Sequence, residues 1–226
     1  MSLSNPRQVN PATKFIEWSG SKGKFYYYDK TTQDNVYFDD KIYIVPLDEL
    51  SIIKGFHKQS TSGIYSNEVK NITKEKMIVK SFKGGPITSG LYSEIKGNLE
   101  GGKFGKSIYA AMISSDGKEL SLVNFQLYGS SLGSFIDSKI NVDSGNVVVL
   151  SPSTEELKNG ATVYFAPKIV KKEVRPDIID RCKDMDKELQ AYLAGYINTS
   201  IEEKDQITEA QTENIPNNDD GDDLPF

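Results

Sequence analysis

The chain has 226 residues, 37% of them hydrophobic, and a formal net charge of −5. That length holds one large domain or one domain with appendages, and no run of about 18 apolar residues marks a membrane span. A single cysteine, Cys182, excludes an intrachain disulfide and fits a reducing cytoplasm; with the single histidine, His57, it cannot make a Cys/His zinc site. The charge is unevenly placed. Residues 201–226 set nine carboxylates against Lys204 alone, a net −8, which leaves +3 on residues 1–200. A mildly basic body tied to an acidic tail suits a polyanion binder whose tail competes for the same groove.

Residues 1–12, with Asn5-Pro6 and Asn10-Pro11, read as an irregular arm. Nothing in residues 1–11 has the apolar stretch of a secretory signal, so a cytoplasmic protein is expected. The β domain is expected over residues 13–175. Its first hairpin pairs residues 14–19 with residues 24–29 around Gly20-Ser21-Lys22-Gly23. After a polar turn at 30–35, residues 36–46 read as one long strand, which Pro46 ends or confines to an edge. Residues 48–56 lead into another strand, with Gly55 marking a bend or bulge. Residues 64–71 and 76–83 are further strands, and Gly84-Gly85-Pro86 breaks the chain. Leu91, Ile95 and Leu99 recur at helical spacing, and Gly101-Gly102 stops that short helix. Residues 107–114 and 120–125 form a hairpin across Asp116-Gly117. Leu132, Phe135 and Ile136 point to a second short helix within residues 127–140. Strands at 147–150 and 162–170 complete the β-rich part.

Many short strands with glycine-rich turns describe a mainly β domain, either a closed barrel or a sandwich. A five-stranded Greek-key barrel with extra hairpins and short inserted helices uses these elements. Pro176 opens a helix over residues 176–200, with Asp177 and Asp180 near its positive end. Ile178, Cys182, Met185, Leu189, Tyr192 and Tyr196 form an apolar stripe along it. That stripe either docks on the β domain, the commoner use of such a face, or lets copies self-associate through residues 176–199. Residues 201–226 are acidic and poor in aromatics until Phe226, and read as a disordered tail.

The most informative feature of the body is lysine interleaved with aromatics. Period-2 alternation in Lys24-Phe25-Tyr26-Tyr27-Tyr28 puts Lys24, Tyr26 and Tyr28 on one face and Phe25 and Tyr27 on the other. In the following strand Tyr37, Lys41 and Tyr43 share a face opposite Ile42 and Ile44. Single-stranded DNA makes two demands that such a face meets. Its bases have π-faces that stack on flat side chains, and its phosphates need cations. Trp18 and Lys22 lie beside the first turn. Phe56, Tyr65 and Lys70, then Lys80 and Lys83 around Phe82, then Lys103, Lys106 and Tyr109 repeat the combination. Tyrosine and phenylalanine are favoured in strands anyway, so each single aromatic also fits an ordinary sheet position.

Signals for an enzyme fail one by one. Gly101-Gly102-Lys103-Phe104-Gly105-Lys106-Ser107 resembles a phosphate loop, but Glu100 occupies the place of its first glycine and a strand, not a helix, follows. Lys103 and Lys106 are then expected to touch phosphate from a flexible loop. His57 has no nucleophile elbow near it and reads as a solvated strand or loop residue. Asp39 and Asp40 point to opposite faces of a strand and cannot share a metal. No catalytic residue, metal or cofactor is expected.

The last eight residues are Asp219-Asp220-Gly221-Asp222-Asp223-Leu224-Pro225-Phe226. No core can bury four such carboxylates unpaired. Pro225 fixes its own φ and pushes Leu224 toward an extended conformation, which makes a stiff apolar hook behind an acidic shank. This ending resembles the C-terminal tip of bacterial and phage single-stranded DNA-binding proteins, in which an Asp-rich run closes on a short apolar end. The resemblance implies an OB-fold for the body. It also implies that Asp219, Asp220, Asp222, Asp223, Leu224, Pro225 and Phe226 recruit replication or recombination proteins such as a polymerase, primase, helicase or recombinase. The body is longer than the standard bacterial member, carries inserted helices, and has different strand motifs. A divergent phage-encoded version in the host cytoplasm is the expected source, coating single-stranded DNA without strong sequence preference during replication, recombination or repair. The alternative is a scaffold that binds no nucleic acid and uses the acidic tip as its protein ligand.

Overall fold

The computed structural model describes residues 9–142, 145–173 and 175–198. The first hairpin forms as expected: β1 (Phe15–Ser19) pairs antiparallel with β2 (Lys24–Asp29), Glu17 opposite Tyr26. A third strand that the sequence did not separate, β3 (Asp34–Tyr37), extends the ribbon with Tyr37 opposite Tyr26. The strand expected over 36–46 is therefore broken at Phe38–Lys41. The chain restarts as β4 (Ile42–His57), 16 residues long. Pro46 lies inside it. Its missing N–H does no harm there, because the ladder with the neighbouring strand shifts register between Pro46 and Asp48, and on the other edge no strand among the described residues pairs at that point.

Three short strands follow: β5 (Ser62–Ser66), β6 (Met77–Ser81) and β7 (Pro86–Gly90), each antiparallel to the one before. The expected short helix is α1 (Tyr92–Ile95) with a 3-10 turn over Lys96–Asn98; Ile95 and Leu99 are buried, as their spacing required. The glycine-rich run is no flexible loop. From Gly102 it is already β8 (Gly102–Ile113), paired along its whole length with β4. Gly55 and Gly101 take φ of 128° and 112°, and their backbones approach so closely that a Cβ on Gly101 would lie 2.4 Å from the Phe56 carbonyl oxygen. Close packing at the end of β4, not phosphate binding, accounts for glycine there.

Gly117 (φ 72°) turns β8 into β9 (Leu120–Tyr128), with Asp116 Oδ1 accepting from Ser114 Oγ at 2.6 Å and from Lys118 N–H at 3.0 Å. Those two bonds hold the Asp116 carboxyl below its ordinary pKa. After α2 (Ser130–Asp137) come β10 (Val147–Ser151), the hairpin β11 (Leu157–Asn159) and β12 (Thr162–Tyr164), β13 (Lys168–Lys172) and α3 (Pro176–Asn198).

The pairings make one large mixed sheet in the order β3-β2-β1-β9-β8-β4-β5-β6-β7, with β10 added to β4 and β13 to β10. β1 runs parallel to β9. Within this sheet β10, β4, β8 and β9 lie side by side in the spatial order 4-1-2-3 of a Greek key, with β5–β7 and α1 inserted between its first two strands. No pairing among the described residues closes the sheet into a five-stranded ring. The inner face carries the main core of Ile16, Trp18, Phe25, Ile44, Ile108, Val123, Phe125, Val148 and Leu150, with Phe135 of α2 packed into it. A second core, Ile53, Ile64, Met77, Val79, Ile95 and Leu99, lies under α1.

α3 lies across the outer face, against β4, β8, β9 and β10. Its stripe is buried inside the chain: Ile178, Cys182, Leu189, Tyr192 and Tyr196 pack on Val45, Leu50, Tyr109, Ala111, Leu122 and Val149, with Met185 half-buried. Docking therefore uses the surface on which self-association through this stripe would rely. The arm's end is also tied down. Ala12 is buried in the same cluster, and Asn10 Nδ2 donates to Tyr109 Oη at 2.8 Å. Residues 1–8 of the expected arm, and the acidic segment with its tip at 219–226, lie outside the described residues.

Candidate nucleic-acid interface

Register partners in a sheet share a face, so the pairings show which side chains meet. Tyr37, Tyr26, Glu17 and Gln126 form one row across β3, β2, β1 and β9 on the outer face. Tyr28 lies two residues along from Tyr26 toward the Phe15–Asn124–Tyr109 row that runs under α3, and Tyr128 two along from Gln126 in the opposite direction. Lys80, Tyr65, Lys54 and Lys103 make a second row across β6, β5, β4 and β8. α3 covers the far end of this face. The near end is left with half-buried Tyr26, Tyr37 and Tyr128, with Tyr28 toward the border with α3, and with lysines around them.

The rings are held. Tyr26 and Tyr37 have centroids 5.5 Å apart, and Lys22 Nζ lies 4.3 Å above the Tyr37 ring while donating to its hydroxyl at 2.9 Å. Tyr65 packs on Phe82 at 5.1 Å. At the centre is Glu17, 6% exposed, ion-paired with Lys54, also 6% exposed. Glu17 Oε2 accepts from Tyr26 Oη at 3.3 Å and from Tyr128 Oη at 3.1 Å; Lys54 Nζ also donates to Gln126 Oε1 at 2.6 Å. A charge this deep is tolerated because it is paired and its remaining lone pairs are satisfied.

The expected site residues divide in three. Lys22, Lys24, Tyr26, Tyr28, Tyr37, Phe56, Lys80 and Lys103 belong to this outer face or its border, and so does Tyr65, which is itself buried against Phe82 and offers no ring to a ligand. Asp39 and Asp40 both lie in the loop between β3 and β4 rather than on a strand, and Asp39 pairs with Lys24 at 2.6 Å. A second group stands apart. Tyr43 is on the α3 side, near Lys172, six residues of β8 away from the Tyr26 row. Lys41 is in the loop before β4, and Lys83 is in the turn after β6, bonded to the Thr61 carbonyl at 2.6 Å. Lys70 pairs with Asp48 at 2.5 Å beside Gln190 of α3. Lys106 points to the other face and pairs with Glu49 at 3.1 Å.

The third group is buried. Trp18 is in the main core, edge-on to Phe25 at 4.8 Å, its Nε1 donating to the Phe165 carbonyl at 3.0 Å. Tyr109 is fully buried beneath α3. Neither offers a ring to a ligand. His57 is buried too, not solvated: its Nδ1 accepts from Ser60 N–H at 3.1 Å and so fixes the turn after β4.

Sequence reasoning missed Tyr128, Gln126, Glu17 and Lys54. Alternation carried the signal: Glu17 falls between Ile16 and Trp18, and Gln126 and Tyr128 interleave with Phe125 and Leu127. The strand was expected to end at residue 125, which hid the last two.

Beneath α3 lies a second polar cluster. Glu68 is fully buried and accepts from Ser107 Oγ and, at 2.9 Å, from Tyr109 Oη; its backbone N–H donates to Tyr196 Oη at 3.0 Å. Burial raises the Glu68 pKa above the ordinary value despite these bonds, and burial also pushes the Tyr109 hydroxyl well up, with the Glu68 charge adding to it. This cluster is structural in position, since α3 seals it. A separate cleft of about 490 Å³ lies between Lys103, Phe104, the start of α2 and Tyr164.

In comparisons with known proteins, no family model, no curated protein and no solved structure matches the chain.

Proposed function

We propose that the chain is a non-catalytic single-stranded DNA-binding protein that holds its ligand on the tyrosine–lysine face. The observation that carries this is the pinned array of Tyr26, Tyr37 and Tyr128 at the open end of the outer face, with Tyr28 next to Tyr26 on the same face, bordered by Lys22, Lys24, Lys80 and Lys103. Half-exposed rings fixed by their hydroxyls are poor protein core and good stacking surface. The Greek-key order of β10, β4, β8 and β9, with α2 ahead of β10, supports an OB-type body. In such barrels the outer face of the second and third strands, here β8 and β9, carries the oligonucleotide. β1–β3 would widen that face, and β5–β7 would wall its other side. The acidic tip would then recruit replication or recombination proteins, as its resemblance implies.

The test is fluorescence anisotropy with labelled oligo-dT. Changing Tyr26 and Tyr28 together to Ala removes two stacking rings, each worth about 1–3 kcal/mol, so affinity should fall roughly tenfold or more in a variant that keeps its circular dichroism. A folded double variant with unchanged affinity would reject the face. Under the scaffold alternative the wild-type protein itself binds no oligonucleotide.

A further inference from the structure

We infer that Glu17 is the positioning residue that makes the centre of this face select bases rather than phosphates. The inference rests on the proposed nucleic-acid reading and deepens it. Two features of the same carboxylate carry it. First, Oε2 accepts from both Tyr26 Oη and Tyr128 Oη, which stand on strands that flank β1 on either side. One buried acceptor thus fixes two rings belonging to different parts of the sheet. Second, Glu17 neutralises Lys54, whose ammonium is also bonded to Gln126 Oε1. Lys54 is the cation at the centre of the platform, one ion pair away from both hydroxyls, and would otherwise draw a phosphate there. With that charge consumed, the remaining cations of the face are peripheral: Lys22 beside Tyr37, Lys24 at the start of β2 in a surface pair with Asp39, and Lys80 and Lys103 on the far side. Rings at the centre and cations at the border orient an unpaired strand with its bases inward and its backbone along the border.

The two roles are separable. Glu17→Gln keeps an acceptor but loses the charge, which frees Lys54 and weakens the hold on the tyrosine hydroxyls. Glu17→Gln with Lys54→Met removes both charges and restores a neutral centre. The experiment measures the affinity of full-length protein for two probes of equal length and charge: oligo-dT, and an abasic oligonucleotide that has the phosphates but no bases. One stacked base is worth about 1–3 kcal/mol, or roughly 5–150-fold, so the wild-type protein should prefer dT by at least about tenfold. Glu17→Gln should bind the abasic strand more tightly and dT no better, cutting the preference by about tenfold. The Glu17→Gln/Lys54→Met variant should return abasic binding to the wild-type level while dT binding stays no better than wild type. If Glu17→Gln lowers both affinities by the same factor, or changes neither, Glu17 is merely structural and the inference is overturned. Wild-type binding to dT and to the abasic strand with equal strength also overturns it, yet leaves the DNA-binding reading standing. Absence of binding to either probe removes that reading itself, and this inference with it.

Discussion

Tyr26 and Trp18 lie on adjacent strands, and the sheet gives them opposite fates. Alternation turns Tyr26 outward onto Glu17 and Trp18 inward onto Phe25. Trp18 is the only tryptophan, and the sequence offered it as a stacking residue. Its burial predicts otherwise. Trp18→Ala should cost about 3–5 kcal/mol of stability in a denaturant titration, the usual range for emptying an aromatic core site. Below the unfolding transition it should leave oligo-dT affinity within about twofold, since no ring of the platform is touched. A loss of affinity without a loss of stability would put Trp18 back on the binding surface. Alternation was readable in these strands, and it placed Lys24, Tyr26 and Tyr28 together correctly. It could not reveal Glu17, Lys54 and Tyr128 as one cluster. That cluster depends on β1 lying parallel to β9 and on β4 running beside β8, and such long-range pairings leave no local periodicity.

At the scale of elements, α3 decides how much of the outer face remains open. Its apolar stripe was plain from spacing alone, as was its start at Pro176; what it packs against was not. Leu189 is fully buried against a cluster that includes Leu50, Tyr109 and Leu122, so Leu189→Ala should destabilise the protein by about 2–5 kcal/mol. Cys182, on the same helix, reports docking directly. Its thiol is buried, and its pKa is raised chiefly by that burial. It should react with a thiol reagent far more slowly in the native protein than in denaturant, and faster in Leu189→Ala at the same pH. Rapid labelling of the native wild-type protein would mean that α3 does not hold to the sheet. The inserted strands explain another gap between sequence and fold. β3, β7 and β11 are three to five residues long, too short to carry a clear alternation, and each was merged into a neighbouring turn or strand.

Across the whole molecule, Glu68 joins the loop after β5, the centre of β8 and the end of α3 through Ser107, Tyr109 and Tyr196. Its carboxyl titrates above the ordinary 4.5 because it is buried. The folded state therefore holds this proton over a pH range in which the unfolded chain has released it. The stability it contributes is fully present below pH 4.5 and is lost as pH rises through the raised native value. Relative to Glu68→Gln, the wild-type protein should lose stability across that window with a slope of at most about 1.4 kcal/mol per pH unit. Parallel stability–pH curves for the two would show that Glu68 is not buried as a carboxyl. The charge division of the chain, a body at +3 and a segment at −8, was legible from composition. The division of the sheet into a sealed end and an open end was not, because it follows from where α3 lands.

The central claim is that the open end grips unpaired DNA through rings and bordering lysines. The most direct test is oligo-dT affinity of the full-length protein at about 50 and 200 mM salt. With Lys22, Lys24, Lys80 and Lys103 each meeting one phosphate, the logarithmic slope for a single strand should be about −2.8, a loss of roughly fiftyfold between the two conditions. No measurable binding at the lower salt would contradict the account outright.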